Sequence, residues 1–126
     1  MINQICITGA GTMGMGIALA SAQNGFKTTL FDISSDAVEK AKLQTAAILV
    51  SFTEKKKITS GEQEAVFSRI LFTSSMDDCK ADLVIEAIVE KITVKEELFK
   101  KLAAVNSAET ILASNKTMFT ICCPLN

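Results

Sequence analysis

The sequence has no histidine anywhere in its 126 residues. That absence excludes a mixed cysteine and histidine zinc site. The four cysteines, Cys6, Cys79, Cys122 and Cys123, show neither C-x-x-C spacing nor a zinc pattern, so buried or incidental thiols are expected. A surplus of one charge is also missing. Thirteen basic residues face 14 acidic ones for a net charge of -1, which leaves no electrostatic footprint for nucleic acid or a membrane surface, and neither partner is expected. No uninterrupted apolar run reaches the roughly 18 residues of a membrane span. The opening MINQICITGAG lacks the basic segment and long apolar core of a secretory signal, so a cytoplasmic location is expected. Repeats, linkers and low-complexity segments are absent. The length suits one domain that buries roughly two thirds of its unfolded surface.

Glycine is scarce as well, with six in the chain, yet four of them fall in GAGTMGMG, Gly9 to Gly16. Glycine weakens helices and strands because its unfolded chain has more freedom to lose, so a cluster belongs at a turn between ordered segments. Before it, QICIT (Gln4 to Thr8) is an apolar, β-branched run suited to a strand buried on both faces. After it, the alanine-rich IALASAQN (Ile17 to Asn24) reads as a helix, with Gly25 where a C-cap glycine stands. On such a turn Gly9-x-Gly11-x-x-Gly14 has a mechanical reading. Gly9 makes the bend, Gly11 lets a pyrophosphate approach the backbone, and Gly14 lets helix and strand pack closely. The phosphates would face N–H groups and the positive end of the helix dipole. The spacing alone fits a ligand-free tight turn as well.

The next element strengthens the dinucleotide reading. KTTLFD, Lys27 to Asp32, reads as a second strand ending in an acid. Asp32 lies about 20 residues past Gly11, where a carboxylate meets the adenosine ribose hydroxyls. The plainer reading is that DISSD supplies a turn or a helix cap. A carboxylate at Asp32 would repel a 2′-phosphate by about 4 kcal/mol at 4 Å and an effective dielectric near 20. Ile33 follows it, with no arginine to hold such a phosphate, so NAD is expected over NADP.

Further along, Ser34 or Ser35 opens a long helix, DAVEKAKLQTAAILVSF, with Ala37, Ala41, Ile48 and Phe52 among its inward candidates. It runs into Lys55, Lys56 and Lys57, which read either as a solvated face or as a site for an anionic substrate tail. Thr59-x-x-Glu62 predicts a capping box on a shorter helix, EQEAVFSRI. ILFTS (Ile70 to Ser74), LVIEA (Leu83 to Ala87) and TILAS (Thr110 to Ser114) read as three more strands. Between the last two, TVKEELFKKLAAV is amphipathic, with Val94, Leu98 and Leu102 on one side and Glu96 to Lys100 and Glu97 to Lys101 as spaced pairs. The alternation predicts a Rossmann-type α/β fold: a doubly wound, mainly parallel sheet with helices on both faces and ligands at the carboxyl ends of its strands. That end singles out Glu86 with Glu90, then Lys95, then SNKT. Lys95 falls in a first helical turn capped by Thr93, where the dipole disfavours a cation. It is either a functional candidate or a side chain pointing into water.

ITGAGTMGMGIA, the acid of LFDIS, DLVIEAIVE, the lysine of VKEELF and ILASN together resemble the NAD-binding domain of the 3-hydroxyacyl-CoA dehydrogenases, bacterial 3-hydroxybutyryl-CoA dehydrogenases included. The resemblance runs from Ile2 to Asn115. It implies reversible oxidation of a (3S)-3-hydroxyacyl-CoA to the 3-oxoacyl-CoA with hydride passing to NAD, in fatty-acid β-oxidation or short-chain acyl metabolism. By position, Gly9, Ala10, Gly11, Thr12, Met13 and Gly14 would hold the pyrophosphate and Asp32 the adenosine ribose. Glu90 and Lys95 would line the nicotinamide side, and Lys55 would meet the CoA moiety of the acyl-CoA substrate.

The departures are specific. Where the family reads Ser-Asn-Thr-Ser-Ser this chain has SNKTM, which places Thr117 at a serine that contacts cofactor and substrate, between Lys116 and Met118. FTICCPLN resembles nothing in the family, so residues 116–126 are expected to be an atypical tail on one dinucleotide-binding domain over residues 1–126. The family's general base is a histidine paired with a glutamate, and a positioned base contributes about 10²- to 10⁴-fold to rate. With no histidine and no following helical domain, which in the family completes the acyl-CoA cleft and usually forms a homodimer, the chain is expected to be inactive alone. It reads as the N-terminal part of a dehydrogenase, shortened by a cut or by a frame change near Asn115, with a sheet incomplete at its C-terminal side. Two other readings stand beside this one. A non-catalytic NAD(H)-binding module or redox-sensing subunit needs no histidine, and a methyltransferase fold also carries a glycine turn and an acid after its second strand.

Overall fold

In the computed structural model, which describes residues 2–87, 100–106, 110–114 and 120–122, the apolar run near the N-terminus becomes the middle of a sheet. Strand β1 (Gln4–Thr8) pairs in parallel with β2 (Lys27–Phe31) on one side and with β4 (Leu83–Glu86) on the other. Strand β3 (Ile70–Thr73) adds in parallel outside β2, and β5 (Ile111–Ser114) outside β4. A sixth, β6 (Thr120–Cys122), runs antiparallel to β5, for an order β3-β2-β1-β4-β5-β6.

Alternate side chains of β1 point to opposite faces, and both faces are covered. Ile5 and Ile7 join Leu30 beneath Ala18, Leu19 and Ala22 of α1 (Thr12–Gln23), Val38, Ala41 and Leu49 of α2 (Ser35–Glu54) and Val66 of α3 (Ser60–Ser68). Cys6, with Phe31 and Val84, packs on the other side against Cys79 and Leu102, the latter from helical residues 100–105. Each fully buried leucine or isoleucine contributes roughly 1.5–3 kcal/mol relative to exposure. The fold is thus the expected Rossmann-type α/β sandwich. The thiols Cys6 and Cys79 are free and buried as expected; the hydrogen bond with the neighbouring Cys79 thiol, and after it burial, push the Cys6 thiol above its ordinary range.

Helix ends follow local chemistry. Ser34 caps α2, its hydroxyl accepting from Ala37 N–H at 3.2 Å, and Thr59 with Glu62 forms the full capping box on α3. Gly25 sits just past the α1 C-cap at φ 90°, with Gly25 N–H on Ala22 O and Phe26 N–H on Ser21 O, a Schellman closure. Arg69 Nη1 adds a 2.8 Å bond to the Ala22 carbonyl, a cation at the negative end of the α1 dipole.

Two expectations need correction. Helix α1 begins at Thr12, inside the glycine cluster, because Met15 N–H already bonds Gly11 O at 2.9 Å. The inward candidates of α2 are borne out, with Ala41 buried and Ala37, Ile48 and Phe52 half-buried against the core, and the buried line also holds Val38, Thr45 and Leu49. A threonine in that line conceals it from a hydropathy count. The tail also supplies β6, three residues too short to show any periodicity. Strands β2, β3 and β4 each end one residue earlier than expected, and β5 begins one later. Val94, Leu98 and both glutamates of the spaced pairs lie outside the described residues, whereas Leu102 is fully buried as expected.

Candidate functional site

The sheet order reverses at β1: the chain leaves it for β2 on one side, and β4 returns on the other. Ligands of open α/β sheets bind at the carboxyl side of that reversal, and the glycine turn occupies it. Gly9 adopts φ 108°, a conformation few other residues accept, and its N–H bonds Phe31 O at 2.7 Å, tying the turn to the end of β2. A Cβ on Gly14 would fall on the Gly9 carbonyl oxygen, so the helix can sit this close only with glycine there. Among the described residues a Cβ on Gly11 would meet nothing within 4 Å, which is the open approach a pyrophosphate needs.

The N-terminus of α1 is chemically bare. Gly11 is its N-cap, no side chain caps it, and its first turn holds no acid, in contrast to α2 and α3, which have serine and threonine caps. Its first N–H groups and the positive dipole end therefore face outward past the exposed residues Gly11, Thr12 and Met13. That geometry suits an anion.

Asp32 lies immediately beyond β2, and its carboxylate reaches the same turn. Oδ2 accepts from Ala10 N–H at 2.9 Å and Oδ1 from Ser34 N–H at 2.9 Å. The acid is half-buried with Ile33 fully exposed beside it. The structure therefore unites Gly9 to Gly14 with Asp32, and the cap reading of Asp32 also has substance, since Ser34 N–H is one of its donors. An open backbone cradle at a helix N-terminus with a carboxylate alongside is a donor and acceptor set that fits a dinucleotide's pyrophosphate and ribose diol.

The other candidates are spread more widely. Lys55 is the exposed C-cap of α2; Lys56 beside it adopts φ 59°, and Lys57 Nζ stands 5.7 Å from the Phe52 ring centroid. No hydrogen bond among the described residues joins this run to the glycine turn. Glu90, Lys95 and Thr117 lie outside the described residues. Glu86 is fully buried at the end of β4, in register with Thr8 of β1.

Sequence reasoning missed three polar residues here. Thr8 is fully buried with its hydroxyl unpartnered among the described residues, and Thr73 and Asp78 bond each other beside Asp32. The sequence signal for the pair was the polar segment after β3, which reads only as a loop.

Comparison with known proteins agrees with this geometry. The family profile described as 3-hydroxyacyl-CoA dehydrogenase, NAD binding domain, matches residues 4–122, past the Asn115 limit of the recognisable motifs. A probable 3-hydroxybutyryl-CoA dehydrogenase from Bacillus subtilis is 38% identical over 121 residues, covering 95% of this chain and 42% of the relative. One from Deinococcus radiodurans is 40% identical, covering 91% and 41%. The crystal structure of (S)-3-hydroxybutyryl-CoA dehydrogenase from Ralstonia eutropha superposes with TM-score 0.85 at 36% identity, over 90% of this chain and 41% of that one. The Escherichia coli 3-hydroxybutyryl-CoA dehydrogenase structure gives TM-score 0.89 at 34% identity, over 94% and 25%. The chain thus spans less than half the length of these relatives. With the open glycine turn, the Asp32 carboxylate bonded to it and a profile match over nearly all of its residues, the chain belongs to the NAD-binding domain family of the 3-hydroxyacyl-CoA dehydrogenases.

Proposed function

We propose that this chain is the NAD-binding portion of an oxidoreductase that passes hydride between a (3S)-3-hydroxyacyl-CoA and NAD, giving the 3-oxoacyl-CoA. The observation that carries the reading is the Asp32 carboxylate held at 2.9 Å on Ala10 N–H, inside the glycine turn at the uncapped end of α1. NAD supplies the hydride acceptor when bound. The chain's own residues bind and orient it: the first-turn N–H groups of α1 receive the pyrophosphate, and Asp32 receives the adenosine ribose and disfavours a 2′-phosphate.

In the same reading residues 1–126 form one dinucleotide-binding domain, Glu90, Lys95 and Thr117 line the nicotinamide side, and Lys55 meets the CoA moiety of the substrate. The proton-abstracting histidine of the family is not among these residues, because the sequence has none. The complete enzyme would be a cytoplasmic homodimer in acyl-CoA metabolism. Among the described residues no helix is long and apolar enough to cross a membrane.

Two assays test the reading. Titration of NADH into the folded 126-residue chain should give saturable fluorescence enhancement, and a folded chain without binding contradicts it. Incubation with NAD and a (3S)-3-hydroxyacyl-CoA should give no turnover by this chain alone. Measurable turnover would contradict the assignment of the base to residues outside it.

A further inference from the structure

Asp32 is anchored at both ends, and only one anchor belongs to the glycine turn. Its carboxylate rests on Ala10 and Ser34, whereas its main-chain N–H donates to the carbonyl of Thr73 at 3.2 Å. Thr73 is the last residue of β3 and stands in register with Phe31, so the ends of β2 and β3 lie side by side. The Thr73 side chain is itself buried and locked. Its hydroxyl donates to Asp78 Oδ2 at 2.6 Å and accepts from Ser75 N–H at 3.0 Å. A hydroxyl-to-carboxylate bond of this length is of the short, strong kind.

We infer that Thr73 and Asp78 are positioning residues for the dinucleotide-selecting carboxylate of Asp32. The Asp78–Thr73 bond fixes the end of β3, the Thr73 carbonyl fixes the Asp32 main chain, and the carboxylate is thereby aimed along one direction. A ribose diol needs that aim for two hydrogen bonds at once, while repulsion of a 2′-phosphate needs only the charge. Loosening Thr73 therefore weakens NADH binding and leaves NADPH binding nearly unchanged. Removing the Asp32 charge instead weakens NADH and strengthens NADPH.

This inference rests on the proposed NAD reading of the turn, and its test separates the two. NADH and NADPH are titrated by fluorescence into wild type, D32A, T73V, T73S, D78A and the double variant D32A/T73V, with melting curves alongside. T73V should raise the NADH dissociation constant roughly 3- to 10-fold, the equivalent of about one hydrogen bond, with NADPH affinity changed less. T73S, which keeps the hydroxyl, should restore the wild-type ratio. D32A/T73V should bind NADH no more weakly than D32A. Equal weakening of both nucleotides by T73V, or additive loss in the double variant, would show a merely structural role and overturn the inference. If T73V does not fold, D78A at an exposed side chain carries the test, and an unchanged NADH to NADPH ratio overturns it. Wild type without preference for NADH would overturn the underlying reading together with this one.

Discussion

Gly14 stands against the carbonyl of Gly9 with no room for a Cβ between them, whereas three positions earlier, at the N-cap of the helix, a Cβ on Gly11 would meet nothing within 4 Å among the described residues. The two glycines of one motif therefore answer to different demands, one to packing and one to access.

That difference gives opposite outcomes for the same substitution. Gly14→Ala should cost at least about 3 kcal/mol through overpacking of backbone against backbone, read as a large loss of melting temperature or of soluble protein. Gly11→Ala should cost under about 1 kcal/mol, the penalty of alanine at an N-cap, while weakening NADH binding by its methyl. Equal melting temperatures for the two variants would refute the division of roles.

Thr8 tests the cost of an unpartnered group. Its hydroxyl is fully buried and has no hydrogen-bond partner among the described residues. Thr8→Val keeps the shape and removes the polar atom, so it should leave stability unchanged or raise it by up to about 1 kcal/mol. A denaturant titration showing clear destabilisation would mean that the hydroxyl is satisfied in solution.

Asp82 closes the opposite end of the sheet. Its Oδ2 accepts from Asn3 N–H at 2.8 Å and Gln4 N–H at 3.0 Å, and these two bonds, Asn3 first, hold its pKa below the ordinary carboxylate value, aided by the N-terminal charge. A depressed folded pKa contributes stability above the unfolded value near 4, lost as pH falls through the folded value. Asp82→Ala should therefore melt below wild type at about pH 7, and the gap should narrow progressively as the pH falls below the unfolded value near 4. A gap constant across that range would contradict the linkage.

Much of the fold was legible because its signals are local. Ile5 to Ile7 announce a buried strand, Thr59 with Glu62 a helix start, and Gly25 a helix end, and each appears as read. The start of α1 was misplaced because Gly14 and Gly16 look like helix breakers, and the place of Gly14 in the helix comes from a close approach to Gly9 that no propensity encodes. The same limit applies to the site. Gly11 and Asp32 carry a spacing, so they could be found. Thr73 and Asp78 matter only because β3 lies beside β2, and pairing between distant strands leaves no mark in a polar loop.

The measurement that tests the account most directly is the ratio of NADH to NADPH affinity in wild type and in Asp32→Ala. Wild type should bind NADH well ahead of NADPH, and the variant should lose much of that preference, with NADH weakened and NADPH gained. An unchanged ratio in a folded variant would mean that the carboxylate on Ala10 N–H is a cap for the turn and not the group that reads the ribose.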